Sequence, residues 1–440
     1  MANPSPPEQV RIKQARPIFV SKLAIIGTGI AGLGCAYLLR SRFDLTLYER
    51  NDYLGGHTNT IGLAEGQEKV VMDTGFMVYN EVTYPNLTRL FRELGVVTKP
   101  TAMSFSVQHR GTGLEFSGSS LNHLFAQRRN LLRPRFWGMI RQINRFNTEA
   151  VAALNLPQYQ TMSLGEYVQE RNYGADFWHF YLVPMSSAVW STPPDLMREF
   201  PAVTLLRFFH NHGFLGLHTQ HPWRTVDGGA KRYVEKLQAG MPGPVRLRPG
   251  VKSVRREGGQ VQVTDAGGES QAFDQVILAC HADEALRLLG DADAEERRVL
   301  GEFKYQSNLI TVHTDAAVMP RHRLCWSSWN YRMENDAAGR IVPSTIYWMN
   351  SLQGVSERQN YFVSVNGENS MHPDSVRRRI QYEHPLFSRG AIRAQAELPG
   401  LNARRTGVYF CGSYFRYGFH EDAFTSALDL ARLLGKAVWN

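Results

Sequence analysis

Three glycines and one acid are the residues whose spacing first indicates a chemistry. Gly27, Gly29 and Gly32 follow the apolar run 23–26 in the spacing G-x-G-x-x-G, and Glu49 ends a second apolar run that begins at residue 45. In this spacing the first glycine permits a tight turn, the second lets the backbone approach a pyrophosphate, and the third lets a helix pack on a strand. The pyrophosphate would lie at the helix N-terminus, where unpaired N–H groups favour negative charge. Since Glu49 could accept both hydroxyls of an adenosine ribose, the pattern predicts a dinucleotide-binding unit.

A second glycine pair, Gly55 and Gly56, follows the acid in the stretch E-R-x-x-x-x-G-G. A nicotinamide dinucleotide does not require such a pair. The stretch resembles one in flavoproteins of the amine oxidase and phytoene desaturase superfamily, where it runs along the phosphates of FAD. The segment 407–423, in which a strand ends near Gly412 and a helix-like run follows, resembles the closing FAD motif of the same superfamily. The resemblance covers most of the chain and implies FAD as the cofactor.

The resemblance also implies, position by position, which residues contact FAD. They are Gly27, Gly29, Ile30, Ala31, Gly32, Glu49, Arg50, Gly55, Gly56, His57, Thr58, Asp73, Thr74, Gly75, Phe76, Val251, Gly412, Ser413, His420, Glu421, Asp422 and Ala423. Two positions differ from many members of the superfamily: His57 stands where arginine is frequent, and Ser413 stands where aspartate is frequent.

Six short segments narrow the resemblance. They are 55–58 (G-G-H-T), 72–76 (M-D-T-G-F), 278–283 (L-A-C-H-A-D), 326–331 (W-S-S-W-N-Y), 347–350 (Y-W-M-N) and 418–422 (G-F-H-E-D). As a set they resemble a bacterial subfamily of FAD-binding oxidoreductases that is associated with cyclopropane-fatty-acid-synthase-like methyltransferases. The resemblance implies a lipid or fatty acyl substrate, such as a methyl-branched acyl phospholipid, and a methyltransferase as candidate partner.

Desaturation of an alkyl chain would need a base near the flavin and a long apolar slot, because a hydride leaves one carbon for flavin N5 while a proton leaves its neighbour. His420 and Glu421, beside the predicted flavin loop, are the candidate catalytic residues, and His313 is a weaker candidate. For His420 a purely structural role is an equal alternative, and Glu421 and Asp422 could instead stabilise a helix N-terminus. The candidates for the slot are Trp326, Trp329, Tyr347 and Trp348, although aromatic residues more often belong to a core.

Three other functions stay open at this point. A flavin amine oxidase would place a lysine near flavin N5, and Lys304 is the candidate. A fatty-acid double-bond isomerase would return the hydride to the chain without net oxidation. A scaffold that binds FAD and partners a methyltransferase at the membrane would transfer no electrons.

The elements that must position these residues predict an α/β fold. Apolar runs before Gly27, Glu49 and Gly412 indicate strands of a Rossmann-type FAD-binding domain. The resemblance implies that this domain is interleaved with a substrate domain of mixed sheet and helices. We place the FAD-binding domain at 1–100, 215–300 and 390–440, and the substrate domain at 101–214 and 301–389.

Charge and composition add expectations about partners and location. The chain has 440 residues, 43% of them hydrophobic, and a net charge of +9. Between Glu115 and Glu149 there are arginines and no acid, and the amphipathic stretch 125–146 could lie on an anionic membrane surface or pack on the core. No recognition module accompanies the charge, so nucleic acid is not an expected partner.

Four scattered cysteines show no metal-binding or redox spacing. They favour a cytoplasmic protein, with the inner face of the cytoplasmic membrane as an alternative location. The first eight residues lack an apolar stretch and predict a disordered leader rather than a signal peptide.

Overall fold

The computed structural model describes residues 21–216, 219–240, 245–246, 249–336, 339–435 and 439. The predicted N-terminal leader lies outside these residues.

The strands in chain order are β1 (Lys22–Ile26), β2 (Asp44–Tyr48), β3 (Thr60–Glu65), β4 (Glu68–Asp73), β5 (Tyr79–Asn80), β6 (Thr98–Thr101), β7 (Phe105–His109), β8 (Leu114–Ser117), β9 (Trp223–Val226), β10 (Val245–Arg246), β11 (Val251–Glu257), β12 (Gln260–Asp265), β13 (Ser270–Phe273), β14 (Gln275–Leu278), β15 (Lys304–His313), β16 (Trp329–Asn335), β17 (Ile341–Trp348), β18 (Phe362–Val365), β19 (Val376–Leu386) and β20 (Val408–Phe410).

The α-helices are α1 (Ile30–Leu39), α2 (Pro85–Glu93), α3 (Leu121–Leu124), α4 (Pro134–Ala153), α5 (Leu164–Glu170), α6 (Ala175–Phe177), α7 (Val183–Trp190), α8 (Ala202–Asn211), α9 (Lys231–Ala239), α10 (Ala282–Leu288), α11 (Ala294–Gly301), α12 (Met349–Gln353), α13 (Arg389–Gln395), α14 (Leu398–Ala403) and α15 (His420–Leu433). Short 3-10 turns cover Arg128–Leu132, Pro157–Tyr159, Pro194–Arg198, Ala316–Val318, Arg323–Cys325, Glu368–Ser370, Pro373–Ser375 and Ser413–Phe415, and a π turn covers Trp178–Leu182.

A five-stranded parallel sheet has the order β10-β2-β1-β14-β20. Its central strand β1 is buried from Leu23 to Ile26, as expected where helices cover both faces of a parallel sheet. The helices α1 and α15 pack against each other beside it. Because the strands are parallel, the carboxyl ends of β1, β2, β14 and β20 meet at one edge, where ligands bind in folds of this type. The predicted α/β class is confirmed.

A seven-stranded mixed sheet has the order β19-β15-β18-β17-β16-β7-β8, in which only the β16–β7 pairing is parallel. The strands come from two separate stretches, 105–117 and 304–386. Neighbouring residues of a strand face opposite sides of a sheet, so Tyr347 and Trp348 on β17 belong to different cores. The boundaries of the two predicted domains stay predictions.

Helices α4 to α8 pack around an aromatic cluster that includes Phe146, Phe177 and Phe209. The sequence predicts a helix from Phe136, and α4 begins two residues earlier because Pro134 fits the first turn, where its missing N–H costs nothing. Phe136 and Met139 are buried on the inner face of α4. Among the helices of the described residues, none combines the length and apolarity needed to cross a bilayer.

Candidate functional site

A cavity of about 820 Å³ lies along the carboxyl edge of the parallel sheet and extends to the seven-stranded sheet. Its nucleotide arm, as we call it, is lined by residues that include Gly27, Thr28, Gly29, Ile30, Ala31, Glu49, Arg50, Gly55, Gly56, His57, Val251, Gly412 and Ser413. Its apolar arm is lined by Met77, Val78, Tyr84, Met103, Val189, Trp190, Phe208, Phe214, Trp223, Trp329, Tyr347 and Phe419. Phe76, His384 and His420 also line the cavity.

The glycines of the first loop have different reasons to lack a side chain. A Cβ on Gly27, whose φ is +98°, would lie 2.8 Å from the carbonyl oxygen of Ala279, and a Cβ on Gly32 would lie 1.9 Å from that of Gly27. A Cβ on Gly29 would meet no protein atom within 4 Å. Gly27 and Gly32 are therefore required by packing, whereas Gly29 leaves space on the cavity side. Gly29 is also the N-cap of α1 and provides no side chain to cap the helix, so the first N–H groups of α1 are available to a phosphate.

Glu49 follows the end of β2 and is buried. Its carboxylate accepts hydrogen bonds from Thr28 (Oγ1 at 2.6 Å, N at 3.1 Å) and from the backbone N–H groups of Arg50 and Asn51. These four bonds fix the orientation of the carboxylate at the cavity wall, and a ribose hydroxyl would share one of its oxygens with these donors. The Arg50 side chain instead forms an ion pair with Glu284.

The second glycine segment lies against the first. Gly55, whose φ is +115°, pairs with Gly29 in an isolated bridge, and the carbonyl of His57 accepts the N–H of Phe76 at 2.9 Å. The Nε2 atom of His57 is buried and has no hydrogen-bond partner among the described residues. An unpartnered nitrogen beside the helix N-terminus and the cradle of glycines fits a large polar ligand such as the FAD that the resemblance implies.

Four of the residues predicted to contact FAD stand behind the cavity wall. The carboxylate of Asp73 accepts hydrogen bonds from Thr60, from Gln353 at 2.7 Å and from the N–H of Ala230 at 2.9 Å, and burial raises its pKa to about 6. Thr74 Oγ1 bonds to the carbonyl of Asn59 and to the Tyr382 hydroxyl. Thr58 supports His420, as described below, and Gly32 is within α1. The side chains of Asp73, Thr74 and Thr58 therefore hold neighbouring protein segments in place.

The C-terminal motif contributes both to the cavity and to helix capping. Gly412, Ser413, His420 and Ala423 line the cavity. Glu421 does not line it, because the side chain that follows His420 on α15 points away from the cavity. The Glu421 carboxylate accepts the N–H groups of Asn86 at 3.0 Å and Leu87 at 2.9 Å, at the start of α2. Asp422 likewise accepts the N–H of Phe419 at 2.9 Å, and burial raises its pKa to about 7. The structure therefore does not bring the candidate base Glu421 to the cavity.

His420 lies at the cavity with its ring stacked on Phe76, with the ring centroids 3.8 Å apart and the planes 7° apart. Its Nε2 contacts the hydroxyls of Thr58 at 2.8 Å and Tyr233 at 2.9 Å. Burial lowers the pKa of His420 to about 3, so the ring is neutral at pH 7. The third candidate base, His313, is fully buried in β15 and bonds to Ser364, and it is not among the residues that line the cavity.

A cluster of histidines at the cavity was not predicted as a site. The His57 ring lies 6.0 Å from that of His281 and 5.4 Å from that of His384, between centroids. Burial lowers the pKa of His57 and His281 to about 4 and that of His384 to about 3. His281 belongs to the segment 278–283 that carries the family resemblance, so the sequence could have indicated it as a site residue. No local pattern indicates His384, since it reaches the cavity through the pairing of β19 with β15, which places it opposite the distant residue Gln306.

The tautomer of His384 follows from a chain of hydrogen bonds. The backbone N–H of Leu309 donates to Asn366 Oδ1 at 3.0 Å, which leaves Asn366 Nδ2 to donate to Asn308 Oδ1 at 2.8 Å. Asn308 Nδ2 then donates to His384 Nδ1 at 2.9 Å. Because Nδ1 accepts, the proton of the neutral ring is on Nε2.

The predicted aromatic slot divides into two pairs. Trp329 and Tyr347 line the apolar arm, with their rings edge to face at 5.0 Å. Trp326 and Trp348 do not line it, because they pack with Phe362 on the opposite side of the seven-stranded sheet. Most of the apolar arm was missed, since its residues on α7 and α8 carry no motif. Lys304 is exposed at the start of β15, outside the cavity lining.

A family model described as flavin containing amine oxidoreductase matches residues 30–326. No curated protein matches the chain.

Solved structures share the fold at low identity. A CLA-producing fatty acid isomerase from P. acnes superposes with a TM-score of 0.65 at 16% identity, covering 94% of this chain and 98% of that chain. Cyclohexylamine oxidase from Brevibacterium oxydans gives 0.66 at 14% identity, covering 94% and 99%. A putrescine oxidase variant gives 0.66 at 15% identity, also covering 94% and 99%.

Proposed function

Because the chain belongs to the flavin containing amine oxidoreductase family and is an FAD-dependent oxidoreductase, we propose that it oxidises a lipid acyl chain, such as the methyl-branched chain of a fatty acyl phospholipid. In the proposed desaturation one chain carbon loses a hydride, its neighbour loses a proton, and a C=C bond forms between them. FAD, when bound, supplies the acceptor for the hydride. The methyl branch is the most specific part of the proposed substrate, and it rests on the subfamily resemblance.

The apolar arm is the observation that carries the proposal. Its residues are aromatic or aliphatic, and the charged residues that line the same cavity, Glu49, Arg50, Glu284, Arg287 and Glu383, belong to the stretches around β2, α10 and β19. Each methylene buried in such an arm gains about 0.8 kcal/mol. A cationic amine would instead lose its hydration there without a carboxylate to compensate.

The residues around the nucleotide arm would hold the cofactor. The N-terminus of α1 faces the space beside Gly29 and suits the pyrophosphate, and Glu49 suits the ribose. Burial lowers the pKa of His57, His384 and His420, so these three rings are neutral at pH 7 and add no charge to the cavity wall. The role of His420 as the base stays a prediction.

The fold itself is compatible with more than one substrate. A fatty acid isomerase and two amine oxidases share it. Among the described residues no lysine lines the cavity, and Lys304 is exposed elsewhere. This does not favour amine oxidation.

An anaerobic absorbance titration of the purified holoenzyme tests the proposal. Methyl-branched acyl phospholipids are added to one sample and a panel of primary and secondary amines to another. We expect the flavin band to bleach with the lipid alone and an alkene to be recovered in one-to-one ratio with reduced flavin. Bleaching by an amine alone would make amine oxidation the function. A third sample receives an unsaturated acyl phospholipid, and a moved double bond there without bleaching would indicate isomerisation.

Two tryptophan variants locate the substrate within the cavity. Trp329→Ala removes apolar surface from the arm and is expected to weaken lipid affinity about tenfold. Trp348→Ala, the matched control, removes the same side chain from the other side of the sheet and should leave lipid affinity unchanged. Equal effects of both variants, at equal FAD content, would contradict the assignment of the arm.

A further inference from the structure

Exposed apolar side chains concentrate on one surface formed by α3, the turn Arg128–Leu132 and the start of α4. Leu132 is 87% exposed, Leu121 70% and Trp137 47%. The Trp137 indole N–H donates to the carbonyl of Leu131 at 2.9 Å, and its ring lies 5.0 Å from that of Phe125, one turn after Leu121. These contacts join the residues into a single patch, which we call the Leu132 surface.

The Leu132 surface is extended by a second segment of the chain. The turn Arg323–Cys325 packs against α3, and its Leu324 is 40% exposed. Leu324 is far from the patch in sequence, so the surface is a product of the fold and not of one amphipathic helix.

Three arginines on this surface have no acidic partner among the described residues. Arg128 bonds to Asn122 and to the carbonyl of Phe125, Arg129 to the carbonyl of Gly113, and Arg133 to Asn130. All of these acceptors are neutral.

Two acids of neighbouring segments have other partners. Glu115 is buried and accepts the backbone N–H groups of Arg321 and His322, and Asp176 pairs with Arg135. The surface therefore keeps a positive charge beside exposed leucine and tryptophan side chains.

We infer that the Leu132 surface docks on an anionic phospholipid bilayer. Protruding leucines and an interfacial tryptophan can enter the boundary between headgroups and acyl chains, while the flanking arginines meet lipid phosphates. A cytoplasmic leaflet attracts each such cation by an amount that corresponds to about fivefold in affinity. Exposed apolar residues that are scattered singly over the surface, such as Val97 at 68% exposure, are common in proteins and need no partner.

The test is co-sedimentation of the holoenzyme with vesicles. Vesicles of phosphatidylglycerol and phosphatidylethanolamine, made with straight acyl chains, are compared with vesicles of phosphatidylcholine at low and high salt. We expect binding to the anionic vesicles only, with weaker binding at high salt. Leu131→Ser combined with Leu132→Ser should reduce binding at least tenfold, and Arg128→Gln combined with Arg129→Gln should reduce it by more than tenfold.

Val97→Ser is the matched control, since it removes an exposed apolar side chain outside the surface and should bind as the wild type does. Equal binding to all vesicles, no binding to anionic vesicles, or binding unchanged by the two double variants would overturn the inference.

A protein partner is tested with immobilised poly-glutamate. Retention there as strong as on the vesicles, and insensitive to the leucine changes, would show that charge alone acts and would also overturn the inference. Flavin absorbance at equal protein verifies that each variant is folded, and the assay needs no turnover, so its result is separate from that of the flavin titration.

Discussion

Asn308 donates a hydrogen bond from Nδ2 to Nδ1 of His384 over 2.9 Å. The donor is fixed because Asn308 Oδ1 already accepts from Asn366, whose own carbonyl oxygen accepts a backbone N–H. A backbone amide on β15 thus determines which nitrogen of a cavity histidine carries the proton. His384 can offer the cavity an N–H donor and no acceptor while it stays neutral.

Replacing the donor by an acceptor should reverse this arrangement. In Asn308→Asp the carboxylate would accept a hydrogen bond from Nδ1–H, so we expect the ring to change tautomer and its pKa to rise. Nitrogen-15 NMR of the histidine-labelled holoenzyme reports both quantities, with His384→Gln used to assign the signal. In the control Ser307→Asp, a carboxylate is added at the exposed neighbour of Asn308, outside the chain of amides, so the tautomer should persist. An unchanged tautomer in Asn308→Asp would show that the chain of amides does not control the ring.

The space beside Gly29 predicts a variant that folds but loses its cofactor. The backbone of Gly29 has φ −61° and ψ 176°, which alanine adopts freely, and the added Cβ meets no protein atom. We expect Gly29→Ala to leave the melting temperature of the apoprotein unchanged and to weaken FAD binding about tenfold or more, because the methyl group occupies the space that the phosphates approach.

The ratio of flavin to protein absorbance, followed during dilution, measures this loss. Gly138→Ala on the exposed face of α4 also adds a Cβ into open space, and it should retain FAD fully. Full retention by Gly29→Ala would show that the pyrophosphate lies elsewhere.

Glu421 provides a test that separates capping from catalysis. Its carboxylate accepts two N–H groups at the start of α2, and it is 9% exposed. Glu421→Ala should therefore lower the free energy of unfolding by about 1–2 kcal/mol, while turnover per bound flavin stays near the wild-type value. His420→Gln serves as comparison, since that ring does line the cavity. Loss of turnover in Glu421→Ala without loss of stability would restore Glu421 as a candidate base.

These residues also show what the sequence could and could not predict. The positions of Gly27, Gly29 and Glu49 at the carboxyl edge follow from local spacing, because strand, turn and helix are contiguous in the chain. The distinction between Tyr347 and Trp348 depends on which side of β17 faces the cavity, and only the pairing with neighbouring strands sets that. His384 reaches the cavity through the pairing of β19 with β15, which no local pattern reveals.

A buried histidine away from the cavity should make stability depend on pH in a definite direction. His313 accepts the N–H of Asp315 at Nδ1 over 3.2 Å and contacts Ser364 Oγ through Nε2 at 2.8 Å, so protonation at Nδ1 would break the first bond. Burial lowers its pKa from 6.5 to about 4. The unfolded chain therefore binds this proton at a higher pH than the folded protein, and the stability that His313 contributes is complete above pH 6.5 and lost as the pH falls towards 4.

Comparison with His313→Gln isolates this contribution, since glutamine can keep a donor and an acceptor but does not titrate. Between pH 7.5 and pH 5 we expect the wild type to lose ~2 kcal/mol more of its free energy of unfolding than His313→Gln does. Urea unfolding of both holoenzymes at the two pH values measures the difference. Parallel behaviour of the wild type and His313→Gln would show that the folded protein protonates His313 as readily as the unfolded chain does, which would contradict the lowered pKa of the buried ring.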